Sequence, residues 1–426
     1  MKVIFLTPGT GSFYCGNCLR DANLAKGLSE LGHDVSIIPL YLPIVSELSK
    51  EFEEEALSMG GVNVYLQEQF SLFRYSPKWL DNLFDSKTVV GLAAYKAGMT
   101  EAKDLGRLSV SMLQGVRGRQ RKEIKKLIDR LKNGTKPDVI FLSNALLLGL
   151  AEPLKKNLGS KIILTLQGAT GFVDSLDEKS QKEVKILMRQ CCSFVDEMIA
   201  VSHFYKDKVI KNFSFEASTI SVVHNGIVFE KISEKIKSDK ANFTLGFLSR
   251  LCPAKGALEL AQVFVQLLKK EFSYDLKLVL AGSFVKGDQV YLDEIKQLLI
   301  EHNCINRCQF LLNINEEAKK QFLSKIDVLS VPVQYDDSFG LYALEAWSAG
   351  VPVVLPDVGA FPELIELSEG GLLFDANNQE SLADCLADLI QDSTKARKMA
   401  LSGRRSVEEL FNNRTMALQV EEIIKK

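Results

Sequence analysis

Two carboxylates, Asp337 and Glu345, lie eight positions apart in the stretch DDSFGLYALEAWSAGVPVVLP. A β-branched apolar run precedes this stretch and predicts a buried parallel strand. A short helix is predicted after Gly340 and is expected to end before Gly350, since glycine is common just past a helix end. The free N–H groups at such a helix start bind anions such as phosphate. The two carboxylates suit sugar hydroxyls, which need strong acceptors at fixed positions.

The same stretch resembles the signature of glycosyltransferase family 4, the retaining nucleotide-sugar transferases of GT-B fold. That signature has Glu, seven residues and Glu, with Phe-Gly inside and Pro-Val-Val near its end. Asp337 stands at the first Glu position and Glu345 at the second. The resemblance implies that Asp337 binds hydroxyls of the transferred sugar and that Glu345 binds the ribose. It also implies that the backbone of Phe339, Gly340 and Leu341 contacts the sugar and the diphosphate.

Two cations, Arg250 and Lys255, follow the predicted strand FTLGFLS and precede a predicted helix. The string RLCPAKG matches the Arg-Leu-x-x-x-Lys-Gly of the same family, in which the pair binds the donor diphosphate. A guanidinium fork and an ammonium beside a helix start suit a departing nucleoside diphosphate. Because the charge on that leaving group grows as the glycosidic bond breaks, the two cations favour the transition state. We therefore expect neither a metal ion nor a cofactor, with the nucleoside-diphosphate sugar as substrate; no Asp-x-Asp accompanies a candidate donor strand.

The amino-terminal half begins with a strand, a glycine-rich loop, a helix and a second strand, without the G-x-G-x-x-G spacing of a dinucleotide site. Gly9 and Gly11 are candidates for close backbone approach to a ligand, and a plain tight turn is the alternative. The resemblance implies that this loop approaches the donor pyrophosphate and that an active-site histidine follows the strand KIILTL. Gln167 stands at that position. It can hydrogen-bond a sugar hydroxyl or phosphate oxygen but cannot carry a proton.

Four cysteines, Cys15, Cys18, Cys191 and Cys192, raise the question of a metal or redox site, because the first two form a C-x-x-C pair. Neighbouring side chains on a helix point about 100° apart, which is poor geometry for zinc. We interpret these cysteines as small buried residues, with metal binding and redox chemistry as the alternatives.

The elements that position these residues predict an α/β protein of two domains. A chain of 426 residues is too long for one ordinary domain, and buried strands alternate with helices outside residues 43–135. The resemblance implies a GT-B fold, with two facing Rossmann-like domains, parallel sheets and a cleft between them. The expected limits are 1–225 for the acceptor-side domain, 226–411 for the nucleotide-sugar domain, and 412–426 for a helix packing back on the first.

A basic helix is predicted within residues 117–132, with Ile124, Leu127, Ile128 and Leu131 on one apolar face. A solvated charged face is the favoured interpretation, and peripheral contact with an anionic membrane is the alternative that the family suggests. The net charge of −2 gives no sign of a nucleic-acid partner. Without a signal peptide or an apolar run of transmembrane length, a cytoplasmic protein with reduced thiols is expected, at the inner membrane face under the alternative.

The resulting prediction is a retaining, hexosyltransferase-like enzyme that moves a sugar from a nucleoside-diphosphate sugar to an acceptor hydroxyl on a glycan, a lipid-linked or a small molecule. The resemblance implies that departure and attack occur on the same sugar face and that the leaving phosphate takes the acceptor's proton. A non-catalytic sugar-nucleotide binder or partner subunit is the alternative, suggested by Gln167 and Asp337 together. An epimerase on the same fold is a further alternative, and a dehydrogenase is disfavoured because the dinucleotide fingerprint is absent.

Overall fold

The computed structural model describes residues 1–9, 16–41, 51–52, 102–134, 136–229 and 242–426. The chain divides into two compact units. Unit 1 consists of Met1–His224 together with Met416–Lys426, and unit 2 of Asn225–Thr415.

A parallel sheet of six strands forms the centre of unit 1. Its strands are β1 (Lys2–Thr7), β2 (Asp34–Pro39), β3 (Val139–Leu142), β4 (Lys161–Leu166), β5 (Glu197–Ala200) and β6 (Ile220–Val222). They lie in the order β2-β1-β3-β4-β5-β6, with Phe5 of β1 opposite Ile37 and Phe141 of its neighbours. The central strands are apolar and buried along almost their whole length, as expected of a parallel sheet covered on both faces.

Seven helices of unit 1 are described before its last strand. They are α1 (Gly16–Glu30), α2 (Ala102–Leu113), α3 (Arg121–Asn133), α4 (Ala151–Leu158), α5 (Ala169–Asp174), α6 (Glu178–Cys191) and α7 (His203–Phe213). Side chains in front of α6 and α7 accept hydrogen bonds from their first turns, at Asp177 and Ser202. Such caps satisfy N–H groups that have no partner inside the helix.

The apolar face predicted within residues 117–132 is confirmed, because Ile124, Leu127, Ile128 and Leu131 of α3 are all buried. Exposed cations lie on the other side of α3. Within the described ranges, no helix has both the length and the apolar content that crossing a membrane requires.

Unit 2 has its own six-stranded parallel sheet. The strands are β7 (Asn242–Leu248), β8 (Asp275–Gly282), β9 (Cys308–Leu312), β10 (Val328–Ser330), β11 (Val353–Pro356) and β12 (Gly371–Phe374). Their order in the sheet is β12-β11-β10-β7-β8-β9. The loops that follow β7 and β10 therefore leave from neighbouring strands at the carboxyl edge of the sheet, where ligands of α/β proteins bind.

The helices that follow in the chain complete unit 2, except that the last one belongs mostly to unit 1. They are α8 (Ala257–Leu267), α9 (Gln289–Glu301), α10 (Glu316–Lys325), α11 (Leu341–Ser348), α12 (Phe361–Ser368), α13 (Gln379–Gln391), α14 (Ser393–Glu409) and α15 (Asn413–Lys425). The prediction of a helix after Gly340 is confirmed by α11, and Gly350 just past it has φ = +70°, a backbone angle that favours glycine.

Helix α11 is anchored by Trp347, which is fully buried. The indole N–H donates to the carbonyl of Gly370 over 2.9 Å, and the ring stacks on Phe411 with centroids 6.2 Å apart. A large aromatic side chain with its polar atom paired gives a rigid contact. The carboxyl-terminal end of α11 is therefore held firmly against the body of unit 2.

The last helix completes the core of unit 1. Its apolar side chains join the cluster that contains Phe5, Phe141 and residues of α1. The residues contributed by α15 are Met416, Ala417, Val420, Ile423 and Ile424. The core of unit 1 is thus built from both ends of the chain.

Candidate active site

The loops after β7 and β10 of unit 2 are in contact with each other. The first ends in a 3₁₀ turn at Pro253–Lys255, and Gly256 follows with φ = +78°. A Cβ atom at that position would collide with the carbonyl oxygen of Pro332, so only glycine fits. The backbone N–H of Gln334 donates to the carbonyl of Ala254 over 3.0 Å. The two loops therefore have a fixed relation at this edge of the sheet.

This contact brings Lys255 and Asp337 together. The Nζ–Oδ2 distance is 2.9 Å, and the two side chains are 18% and 14% exposed. Burial acts to lower the pKa of Lys255 and to raise that of Asp337, but the attraction between the two charges outweighs it. The pKa of Lys255 is therefore raised and the pKa of Asp337 lowered. Backbone N–H groups of Ser338 and Phe339 add to the stabilisation of the carboxylate. Both groups are charged at neutral pH.

Two tyrosines flank the ammonium group of Lys255. Its Nζ lies 4.8 Å from the ring centroid of Tyr335 and 5.9 Å from that of Tyr342, distances at which a ring face attracts a cation. The hydroxyl of Tyr335 donates to Asp337 over 3.4 Å. The hydroxyl of Tyr342 is buried and has no hydrogen-bond partner in the described structure. Neither tyrosine belongs to the motif residues predicted from the sequence, although an aromatic residue in the first turn after Gly340 is a signal that indicates Tyr342.

Helix α11 starts at a position that only glycine can occupy. Gly340 has φ = +93°, and a Cβ atom there would lie 2.7 Å from the Phe361 ring. The neighbouring side chains of Phe339 and Leu341 are buried, with 2% and 8% exposure. Since these side chains point into the core of unit 2, the group that this segment can offer to a ligand is its backbone.

Arg250 is paired with a carboxylate that the sequence does not indicate. Its Nε and Nη2 atoms donate to the two carboxylate oxygens of Asp288 over 3.0 and 3.2 Å, a side-on fork. Burial raises the pKa of the Cys252 thiol, and the charges of Arg250, Asp288 and Lys255 all act on it. The two predicted cations thus belong to one loop, but each has its own carboxylate.

Glu345 is buried and ion-paired. Lys319 of α10 places its Nζ 2.6 Å from Oε1 of Glu345 and 2.8 Å from Oε2 of Glu316. Lys319 itself is 8% exposed and Glu345 7% exposed. Lys319 lies 26 residues before Glu345, and no spacing rule relates the two, so sequence analysis could not select it. The predicted contact of Glu345 with a ribose stays a prediction.

The predicted site residues of unit 1 lie at the carboxyl end of its sheet. Gln167 directly follows β4, is 3% exposed, and donates its amide N–H to the carbonyl of Ser143 over 2.8 Å. Because a carbonyl can only accept, this contact fixes which way the amide of Gln167 points. Gly9 has φ = +75°, and its N–H lies 3.5 Å from the Thr7 hydroxyl. Gly11 lies outside the described residues.

A buried charge pair, absent from the sequence predictions, lies beside Gln167. Arg20 of α1 is 0% exposed and Asp21 is 1% exposed. The Nη1 atom of Arg20 donates to Asp21 and to the hydroxyl of Thr165, over 3.1 Å in both cases. The hydroxyl of Ser143 donates to the other oxygen of Asp21. Burial lowers the pKa of Arg20 and raises that of Asp21, while their mutual attraction opposes both changes. The signal in the sequence is an Arg-Asp dipeptide in a helix whose other buried residues are mostly apolar.

The described cysteines pack as small side chains. Cys18 and Cys191 are buried, and their Sγ atoms lie 3.4 Å from the Thr7 hydroxyl and the Leu113 carbonyl. Burial raises the pKa of Cys191 to about 11 and that of Cys192 to about 12, so the thiolate forms are disfavoured. Apart from the undescribed stretches, which include Cys15, no group of three or more His, Cys, Asp or Glu side chains is arranged to hold a metal ion.

Two α/β units with parallel six-stranded sheets define the GT-B fold, and solved structures agree. Anabaena HepE in complex with UDP and glucose matches with a TM-score of 0.71 at 17% identity, over 100% of this chain and 99% of that one. Sucrose-phosphate synthase from Thermosynechococcus elongatus matches with a TM-score of 0.70 at 18% identity, over 100% and 98%. At these identities the likeness shows the fold alone.

Two family models match the sequence, one after the other. The model of Glycosyltransferase Family 4 matches residues 101–231, and that of glycosyl transferases group 1 matches residues 228–406. The chain therefore belongs to the group 1 glycosyltransferases, as the resemblance of its motifs predicts.

The relatives with a named activity either have low sequence identity to this chain or align with it over only part of their length. The D-inositol 3-phosphate glycosyltransferase of Corynebacterium efficiens is 31% identical over 168 residues, which is 39% of this chain and 38% of that protein. The N-acetyl-alpha-D-glucosaminyl L-malate synthase of Bacillus anthracis is 24% identical over 421 residues, 96% of this chain and 93% of that protein. The stronger identity thus extends over well under half the length of the relative.

Proposed function

We propose that this chain is an enzyme that transfers a glycosyl group, of hexosyl type, from a nucleoside-diphosphate sugar to an acceptor hydroxyl. The observation that carries the proposal is the contact of Lys255 with Asp337 at the carboxyl edge of the unit 2 sheet, next to the start of α11. A cation for phosphate and a carboxylate for sugar hydroxyls are thereby adjacent. The printed name of the Corynebacterium efficiens relative supports glycosyl transfer, and the UDP bound to HepE supports a nucleotide-sugar donor.

The proposed donor complex involves an exchange of partners. Lys255 and Arg250 each hold a carboxylate, so a bound diphosphate has to compete with Asp337 and Asp288. A diphosphate has more charge than a carboxylate and gains more as the glycosidic bond breaks. When Lys255 turns to the phosphate, Asp337 becomes available to accept hydrogen bonds from the sugar. One rearrangement then prepares both halves of the donor site.

The proposed reaction proceeds with retention of configuration and without a metal ion. The acceptor hydroxyl attacks the sugar face that the phosphate leaves, and the leaving phosphate takes the acceptor's proton. Lys255 and Arg250 stabilise the departing charge, which is the role a divalent ion has in other transferases. The amide of Gln167 is proposed to orient the transferred sugar and not to move a proton. The non-catalytic alternative has no observation in its favour.

A two-stage experiment tests this proposal. Melting temperatures are first measured with UDP-, GDP-, ADP- and TDP-sugars, because a ligand of the native state raises them. Turnover of the stabilising donor is then followed with a panel of hydroxyl acceptors, with and without EDTA. We expect one nucleotide class to stabilise the protein, and an EDTA-insensitive product with the donor's anomeric configuration by NMR. Stabilisation without turnover for any acceptor would instead support a non-catalytic binder.

We propose that any peripheral membrane contact through α3 is electrostatic, without insertion of the helix into lipid. The apolar face of α3 is buried in unit 1 and is not available for insertion into lipid. Exposed Arg121, Lys125 and Lys132 remain for contact with anionic headgroups. Co-sedimentation with anionic vesicles that disappears at high salt would agree with this mode. Binding to neutral vesicles would contradict it.

A further inference from the structure

The interior of unit 1 changes from apolar to polar towards the carboxyl end of the sheet. Phe5, Phe141 and Ile163 lie in the apolar cluster with α1. Two residues after each of these positions, on the same face of the sheet, the chain has a buried polar residue. These residues are Thr7, Ser143 and Thr165. The change occurs at the edge of a parallel sheet where ligands bind, so a layer of buried polar groups there is better suited to recognition than to stability.

Arg20 is the charged centre of this polar layer, and one edge of its guanidinium is buried without a hydrogen-bond partner in the described structure. Its Nη1 atom is used by Asp21 and Thr165, whereas Nε and Nη2 are buried without a hydrogen-bond partner in the described structure. Nε and Nη2 together form the side-on fork of arginine, which fits two coplanar oxygens. Arg250 uses the same two atoms to hold Asp288. The fork thus has a carboxylate partner in Arg250 and, among the described residues, no partner in Arg20.

Asp21, the carboxylate paired with Arg20, is not free to turn towards the fork. One oxygen of Asp21 already accepts from Nη1 of Arg20 and the other accepts from the Ser143 hydroxyl. Unpaired buried donors each carry a desolvation penalty, which an incoming acceptor would remove. Arg20 also lies in the second turn of the 15-residue helix α1, whose N-terminus favours negative charge.

We propose that the fork of Arg20 binds an anionic group with two coplanar oxygens, a phosphate or a carboxylate, of a substrate of this enzyme. The assignment to a substrate rests on the proposed function, and the anion belongs either to the acceptor or to the donor diphosphate. Because the side chain is 0% exposed, the fork has to be uncovered for entry. Association is therefore expected to be slower than for an exposed site.

Calorimetric titration of the full chain with paired compounds measures this preference directly. The pairs are glycerol 3-phosphate against glycerol, glycerate against glycerol, and UDP against uridine, with inorganic phosphate as the minimal probe. We expect the anionic member of a pair to bind at least tenfold more tightly than the neutral member. A glycerol-based difference assigns the anion to the acceptor. A difference confined to UDP assigns it to the donor only where the Arg20 variants reduce it, since Lys255 and Arg250 are proposed to favour UDP as well.

Variants then connect the preference to Arg20. Removing the cation alone leaves Asp21 buried and unpaired, so the main variant is the double substitution R20M/D21N, with R20K as a second. We expect the double variant to lose the glycerol-based discrimination and to weaken that between UDP and uridine, to which Lys255 and Arg250 also contribute. R20K should keep only part of the share of Arg20, because an ammonium cannot form the fork. K26M is the matched control, since Lys26 lies on the same helix in an exposed ion pair with Glu51; it should bind as the wild type does.

Two results would overturn the inference. One is equal affinity for both members of every pair, and the other is a difference that persists unchanged in R20M/D21N and R20K. The readout is independent of turnover. Donor turnover without Arg20-dependent discrimination removes this inference alone. Discrimination without turnover removes the proposed enzymatic function and the assignment of the anion to a substrate, but not the anion site at Arg20.

Discussion

Arg250 in unit 2 and Arg20 in unit 1 differ in how their Nε and Nη2 atoms are used. Arg250 in unit 2 holds Asp288 with its fork, and the nearby cations Lys255 and Lys319 are also paired, with Asp337 and Glu345. In unit 1, Arg20 shares one nitrogen with Asp21 and leaves its fork without a partner. The difference indicates two ways of preparing for an anionic ligand. Unit 2 stores its charges as internal pairs that a ligand must exchange, whereas unit 1 keeps a buried ion pair in which the fork of the guanidinium has no hydrogen-bond partner among the described residues.

The exchange in unit 2 has a physical advantage. A cation near a carboxylate stays charged and ordered despite partial burial, as the raised pKa of Lys255 shows. It is therefore available when a more highly charged diphosphate arrives. The price of this arrangement is lower affinity, because part of the attraction to the ligand replaces an existing pair.

The strongest test of the paired site is K255M. Loss of the ammonium removes the proposed stabilisation of the departing diphosphate, so kcat/KM should fall by about 10²- to 10³-fold. Steady-state turnover of the donor identified by thermal shift measures it. K270M is the control, because Lys270 forms an exposed ion pair with Asp384 in the same unit. A K255M enzyme within tenfold of the wild type would contradict the role of the pair.

The substitution D337N tests whether the pair also stabilises unit 2. Removing one partner of a largely buried ion pair should cost about 3 kcal/mol in the free energy of unfolding at pH 7. The folded-state pKa of Asp337 is lowered, so its contribution is present above the unfolded value and is lost as the pH falls through the folded value. The difference between wild type and D337N, measured by urea denaturation, should therefore shrink only in strong acid.

The contribution of the ion pair to stability is also expected to disappear at high pH. The folded-state pKa of Lys255 is raised, so its contribution is present below the unfolded value and is lost as the pH rises through the folded value.

D336N, at the exposed neighbouring residue, is the control for D337N and should change stability by less than about 0.5 kcal/mol. Equal losses in D336N and D337N would show that the ion pair has no special part in stability.

The buried carboxylate of Glu345 offers a sharper comparison. In E345Q, Lys319 keeps its second partner Glu316, so the fold should remain intact. Loss of a strong acceptor for ribose hydroxyls should raise the donor KM about tenfold with little change in kcat. E316Q is the matched control, since it removes the other carboxylate of Lys319 and should leave KM unchanged. The reverse pattern would make Glu345 a purely structural residue.

The smallest expected effect is that of Y342F. If the Tyr342 hydroxyl is unpaired in the free protein and pairs with the donor, its removal should stabilise the free protein by about 1 kcal/mol. Donor affinity should fall roughly threefold at the same time. Denaturation and donor titration on one sample measure both. A variant that loses stability would show that the hydroxyl has a partner before the donor binds.

Much of the fold could be predicted because it depends on local patterns. Apolar strands followed by glycine-bounded helices, such as the segment from β10 to Gly350, have their signal within about 20 residues. Strand β12 was not predicted, since its four residues in GLLFDANN have no alternation to distinguish them from a loop. Local periodicity thus identifies long elements better than short ones.

The partners of the site residues could not be predicted, for a different reason. The family motif selects Arg250, Lys255 and Asp337, but the pairing of Arg250 with Asp288 joins residues 38 positions apart. Such pairs depend on which loops the sheet order makes neighbours, and no single-sequence pattern contains that order. The unpaired fork of Arg20 is harder still to predict from the sequence. A donor is unpaired only when no acceptor of the folded chain lies within hydrogen-bond distance, and that depends on the whole fold.

The contribution of Met416–Lys426 to unit 1 affects how the protein is made on the ribosome. The segment Met1–His224 emerges first, yet its interior lacks the side chains of the last helix until Met416–Lys426 has also been synthesised. At about 5 to 20 residues per second, the roughly 190 residues from His224 to Met416 delay completion by about 10 to 40 s. During that interval the apolar side chains of unit 1 that pack against Met416–Lys426 lack this partner, and a stop codon before Met416 would remove it permanently.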